Sequence, residues 1–357
     1  MVVKCIREEL GMKNELWLIL LLGGIFLLNV ILVPTSLAND YYEEAFDEIS
    51  GMLEGEKELS IRRAVFLSEW AFLEGKLDYE KDFCEPITQA AGFLERLIAV
   101  NEWKDYKTAK QIALCTFFFY PCSGNDYTPF KYDFSKEFPK DDWHYQLVSR
   151  TLKTHKGQCR SLPWTFILLA EELRADVSLA YAPRHCFVMY RNEDNLFPEE
   201  WVNVEVTTQL YLPTWSIKEH YAIKDSAVIQ GTYLTPLSKK ETIAKQLSDL
   251  AFGYYNKYHT YNDFTLKCSV LSLKHYKMNP NAIIIKAKSL HALLTKHLYA
   301  NGYRRDYTTD YIDAMLIQCE RDLAHTYWTQ ETEELRKKWD IDEATLEERR
   351  KTIQYIN

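Results

Sequence analysis

Helical periodicity at both ends of the chain encloses a short stretch of strand-like alternation. Between residues 40 and 112 apolar positions recur at i, i+3, i+4 and i+7, most clearly in IRRAVFLSEWAFLEG, which predicts helices near 41–55, 60–75, 84–101 and 103–114. From Asp105 the chain runs into the strongly apolar ALCTFFFYP, so these helices form a layer leading into the core. Residues 121 to 140, rich in Pro, Asp, Ser and Gly, predict a long loop and a candidate rim or lid. In the next helix Leu162, Phe166, Leu169, Ala170 and Leu173 share a face, and Pro163 fits because it falls in the first turn. Residues 178–190 and 201–207 then read as strands. Residues 211–241 are mixed and complete the core, and long amphipathic helices resume from 241.

Alternation sorts the strand residues by face. His185 points with Phe187 and Met189, while Cys186 points the other way with Val188 and Tyr190. Val202, Val204 and Val206 take one face of the second strand. Trp201, Asn203, Glu205 and Thr207 take the other, which leaves Glu205 outside the predicted core.

Composition narrows the classes. The 357 residues are 47% hydrophobic, enough for one large core or two modest ones. A net charge of −8 with mixed signs gives nucleic-acid binding no support. Leu16 to Val33 is an uncharged apolar run followed by Ser36 and Ala38, the small residues a signal peptidase needs. Met12 opens a tidier leader than Met1. The expectation is export to the periplasm or the cell exterior after cleavage near Ala38, the alternative being one N-terminal transmembrane helix. Removing Cys5 leaves seven cysteines, an odd number that implies at least one free thiol. Cys115 and Cys122 are close enough in sequence to pair. The facing argument predicts no bond between Cys159 and Cys186.

Candidate chemistry lies between Gly157 and Thr208. Cys159 stands where a helix begins, so the helix dipole, with Arg160 beside it, favours a thiolate. His185 opens a strand and Glu205 lies on the next. Cysteine, histidine and carboxylate in that order is an arrangement used by cysteine nucleophiles. Asn203, on the same strand face, is an alternative imidazole orienter. A zinc site built from Cys159, His185 and His155 has no CxxC or HxxxH pair behind it, and no metal or cofactor is expected.

The helix-opening Gly-x-Cys, the histidine of PRHCFVMY and the strand WVNVEVT resemble the transglutaminase-like superfamily. The resemblance spans about residues 113 to 235, roughly a third of the chain, and departs from the usual pattern in having Glu for Asp at 205. It implies an α+β fold in which the helix carrying Cys159 packs on an antiparallel sheet, a papain-like core, with Cys159 as nucleophile, His185 as base and Glu205 as orienting carboxylate. The implied function is that of a thiol enzyme acting on an amide or peptide bond of a peptide, protein or glycopeptide, with hydrolysis favoured in an exported compartment. The alternative is an inactive interaction protein. The helices after 241 resemble tetratricopeptide hairpins, with Leu247, Ala251, Gly253 and Tyr254 in one helix and Pro280 closing the next, and are a candidate surface for a protein partner. The expected division is leader 1–38, N-terminal helical region 39–112, core 113–240, repeat-like helices 241–330 and charged C-terminal helix 331–357.

Overall fold

In the computed structural model, residues 35–139 and 142–326 are described. The apolar run 16–33 and the charged segment 331–357 lie outside them. Among the described residues no helix is long and apolar enough to cross a membrane.

The N-terminal layer consists of α1 (Thr35–Glu54), α2 (Ile61–Phe72), α3 (Glu85–Val100) and α4 (Ala109–Phe119). Local signals start some of these helices. Ser60 caps α2 by accepting from the Arg63 N–H at 3.1 Å, and Pro86 sits in the first turn of α3. Distant residues start others. The Glu171 carboxylate takes the Ile61 and Arg62 N–H groups at the head of α2, at 3.0 and 2.9 Å. The fourth predicted helix, 103–114, is displaced: Trp103–Asp105 form only a 3-10 turn, and α4 begins at Ala109. Its position is set by Asp194, whose carboxylate accepts from the Lys107 N–H, the Thr108 N–H and the Thr108 hydroxyl. Such a cap orders a helix end by about 1 kcal/mol, and its donor set is invisible from residues 103–114 alone.

Between the layers, β1 (Lys131–Tyr132) pairs in parallel with β2 (Lys156–Gly157), and α5 (Val148–Thr154) lies between them in sequence. The α5 N-terminus is capped by the buried Glu69, which accepts from the Val148 N–H, the Ser149 N–H and the Ser149 hydroxyl. Burial pushes the Glu69 carboxyl up, against the pull of Arg160 and these donors. Next comes α6 (Ser161–Leu173), then an antiparallel meander of β3 (Ser178–Ala182), β4 (His185–Arg191), β5 (Trp201–Glu205) and β6 (Leu210–Leu212), in that spatial order. Residues 178–190 are therefore a hairpin rather than one strand. Pro183 and Arg184 form its loop, with Arg184 in the left-handed region at φ 57°. The fold is a mixed helix and sheet structure with a small antiparallel sheet.

Both sheet faces are covered. Cys186, Val188, Tyr190, Val202, Val204 and Val206 pack into a continuous core with Trp164 and Phe166 of α6 and with residues of the flanking helices. Phe187 and Met189 pack on the other face against Ile217 and Tyr233, brought by the segment that holds α7 (Thr214–His220) and α8 (Asp225–Ile229). The predicted split of the two faces holds. The inference that Glu205 lies outside the core does not: it is 5% exposed, because the second face is roofed as well.

Four helices complete the described chain: α9 (Lys239–Tyr258), α10 (Asp263–His275), α11 (Pro280–Ala300) and α12 (Tyr307–Thr326). Each packs on the next, and Leu247, Leu250, Cys268 and Ile285 extend the same core that holds Trp164. Pro280 does not close a helix. It opens α11 at the first position, where its missing N–H has no partner to lose, and Asn279 caps that end by accepting from the Ala282 N–H.

Candidate active site

Local backbone constraints place the thiol. Gly157 ends β2 where a side chain is impossible: a Cβ there would stand 2.5 Å from Ser161 Oγ and 2.6 Å from Thr151 Oγ1. Ser161 Oγ accepts from the Gln158 N–H at 2.9 Å and donates to the Tyr145 carbonyl at 3.2 Å, which locks the turn that presents Cys159 just before α6. Pro163 falls in the first turn of that helix, as its chemistry requires. Cys159 is half-buried, and its sulfur lies 4.0 Å from the Arg184 carbonyl across the hairpin loop.

His185 opens β4 directly after that loop, and its ring lines the same cleft as the Cys159 side chain. Its Nε2 lies 2.6 Å from Glu205 Oε2. The ring therefore uses Nε2 for the carboxylate and leaves Nδ1 outside that pair. The other oxygen, Glu205 Oε1, accepts from the Thr207 hydroxyl at 2.6 Å and the Thr207 N–H at 3.1 Å. Tyr221 stacks on the imidazole, with ring centroids 5.3 Å apart and planes 15° apart. Carboxylate, threonine and tyrosine hold the ring from its edge and its face.

The register explains how a glutamate serves. Val188 pairs with Val204, so one step along the same ladder Phe187 lies opposite Glu205, and His185 lies beyond it on the same face. The longer side chain reaches diagonally to the imidazole. Asn203 does not compete for it. Its amide donates to the Leu212 carbonyl at 3.1 Å and to Thr214 Oγ1 at 3.0 Å, fastening β6 and α7.

The electrostatics follow from burial. Taking His185 out of water lowers its pKa, but the Glu205 charge and the bonds to Cys159 and Glu205 outweigh this and push it up to about 10. Burial raises the Glu205 carboxyl; His185 and the Thr207 donors outweigh that and hold it below its ordinary value. Both shifts favour the imidazolium–carboxylate form of the pair.

Cys159 and His185 open onto a cleft of about 640 Å³ between the β3–β4 hairpin on one side and α9 and α11 on the other. Of the described residues in the predicted lid, 121–139, none lines it; Trp143 and Gln146 form the near rim. Arg160 does not stand as the thiol's cation. It is drawn into Asp249, Nε to Oδ2 at 3.1 Å, and donates to the Gln146 carbonyl between the rings of Trp143 and Trp164. Lys245 Nζ meets the other oxygen of Asp249 at 2.6 Å. Inspection of 157–208 misses this cluster because two of its members lie on α9; the i,i+4 spacing of Lys245 and Asp249 is the one signal for it in the sequence. His155 is engaged elsewhere, bonding the Thr128 carbonyl beside Phe130. Among the described residues no group of His, Cys, Asp and Glu is arranged to hold a metal. All seven described cysteines are free thiols, and Cys186 donates to the Cys159 carbonyl at 2.9 Å.

Comparison with protein-family models, with curated proteins and with solved structures finds no match for this chain.

Proposed function

We propose that this chain is a cysteine-nucleophile enzyme of transglutaminase-like, papain-like type that acts on amide bonds of peptides or proteins. The observation that carries the reading is the placement of His185: Nε2 bonded to Glu205 at 2.6 Å, and the ring on the wall of the open cleft that Cys159 also lines. Cys159 sulfur attacks the carbonyl carbon, and the charge that develops on oxygen is met by backbone N–H groups at the head of α6 and by the Gln146 amide on the cleft wall. His185 gives its proton to the departing amine, leaving a thioester. It then takes a proton from water, whose oxygen attacks the thioester, and keeps that proton as the acid and the thiolate separate, which restores the starting pair. Hydrolysis needs no second substrate; an amine entering in place of water would make the same site a transferase. An export leader before Ala38 belongs with this reading.

The test is labelling at neutral pH with a thiol-alkylating probe, followed by mass spectrometry of the labelled peptide. Selective modification of Cys159 over the other six described thiols is expected. Labelling of Cys159 no faster than of Cys84 or Cys122, which are also half-buried, overturns the reading.

A second reading, an interaction protein, is favoured by the exposed Tyr299, Tyr303, Tyr307 and Tyr311 around the α11–α12 turn, which are 74, 65, 85 and 56% exposed. Selective labelling of Cys159 separates the two.

A further inference from the structure

The cleft beside Cys159 is charged in one direction. Arg160, Arg184 and Lys245 line it, and Asp249 is the one acid among its described lining residues. That acid is fully engaged: Arg160 Nε and Lys245 Nζ take its two oxygens, and Gln246 adds a longer contact at 3.3 Å. The buried Lys245 and the half-buried Arg160 thus share one carboxylate. Glu69, the other acid near Arg160, is turned to the head of α5 and does not line the cleft.

Unmatched donors lie in the same wall. The Tyr276 side chain is 2% exposed, and its hydroxyl has no hydrogen-bond partner. The Tyr181 hydroxyl is buried and unpartnered too, and its ring lies 5.6 Å from Lys245 Nζ. Lys245 is itself 4% exposed. A buried hydroxyl without a partner is costly, and two in the wall that also carries a lysine with N–H groups beyond its one ion pair make an acceptor-binding wall. An acceptor with negative charge fits both the hydroxyls and the excess of cations. A neutral amide would satisfy the hydroxyls and leave the charge unmatched.

Building on the thiol-enzyme reading, we infer that the cleft selects substrates bearing a carboxylate close to the reacting carbonyl, held by Lys245 with the Tyr181 and Tyr276 hydroxyls. The carboxylate belongs either to an acidic side chain or to a chain end.

Matched pairs of bromoacetyl reagents test this, since sulfur displaces bromide whatever the group attached. Bromoacetylated glycine and β-alanine, against their primary amides, present a chain-end carboxylate. The bromoacetylated methylamides of aspartate and glutamate, against those of asparagine and glutamine, present a side-chain carboxylate. Alkylation of Cys159 in the full chain is followed by mass spectrometry, with glutathione as the reference thiol. In at least one pair the acid-to-amide rate ratio should exceed that of glutathione by about tenfold or more, and the pair that responds identifies the source of the carboxylate. Tyr276→Phe, which keeps the ring, and Lys245→Met should each bring the ratio back toward the glutathione value. A ratio equal to that of glutathione in every pair, or an elevated ratio untouched by both substitutions, overturns the inference. The ratio is independent of absolute reactivity: a Cys159 slow toward every amide reagent refutes the enzyme reading and leaves the carboxylate preference separately measured.

Discussion

Two buried charge clusters flank the β3–β4 hairpin, and they differ in what their charges can do. On one side His185 and Glu205 meet at 2.6 Å, and a proton can move between the ring and a partner at ordinary pH. On the other, Asp249 sits between Arg160 and Lys245, with a guanidinium that does not titrate and a carboxyl that the two cations hold below its usual value despite burial. The first cluster ends at the half-buried Cys159; the second ties α6 to α9. Similar burial of charge serves chemistry where a member can change protonation and reach solvent, and serves attachment where none can.

Removing the nucleophile is the largest perturbation of the first cluster. Cys159→Ala should eliminate probe labelling and lower turnover by something on the order of 10⁶ while the unfolding midpoint in urea hardly moves. A large loss of stability would mean that Cys159 acts as core.

Glu205→Gln comes next, with turnover lower by about 10⁴, as when a triad carboxylate becomes an amide elsewhere. The same variant tests the electrostatics. His185, raised in the folded state, contributes stability that is complete below its ordinary value of 6.5 and is lost as pH rises through about 10. Glu205, lowered in the folded state, contributes stability present above its ordinary value of 4.5 and lost as pH falls through its folded pKa. The pair therefore stabilises most between these two ordinary values. Carbon-13 NMR of the histidine ring should show the His185 midpoint well above that of an exposed histidine, and Glu205→Gln should bring it down. A midpoint that stays put denies the pairing.

The second cluster should respond in stability. Asp249→Ala strands Arg160 and Lys245 in a buried site, at an expected cost of about 3–5 kcal/mol, read by urea denaturation. A loss below about 1 kcal/mol, the range of exposed pairs, would place the cluster in water.

The smallest effect belongs to Asn203→Ala. Its amide fastens β6 and α7, so about 1–3 kcal/mol of stability should go while turnover stays within a few-fold. Turnover lost together with the Glu205→Gln phenotype would restore Asn203 as the imidazole orienter.

What was legible in the sequence was what backbone periodicity decides. The start of α6 near Cys159, the place of Pro163 in its first turn and the division of His185 from Cys186 across β4 depend on residues a few positions apart. Cys159, His185 and Glu205 were named from order, face and the resemblance together; in the structure His185 meets Glu205 at 2.6 Å, and Cys159 and His185 line one cleft. What tertiary structure alone decided was which groups stand opposite one another. Glu205 is buried because the segment after β6 covers a face that alternation leaves unassigned. The head of α4 is set by Asp194, 86 residues away from Thr108, and Arg160 turns to an aspartate 89 residues away. The far wall of the cleft is built from α9 and α11, which no reading of 157–208 contains. Periodicity is a property of one segment's own geometry. The partner of a charge or of a helix end is a property of packing, and packing joins residues that the chain keeps far apart.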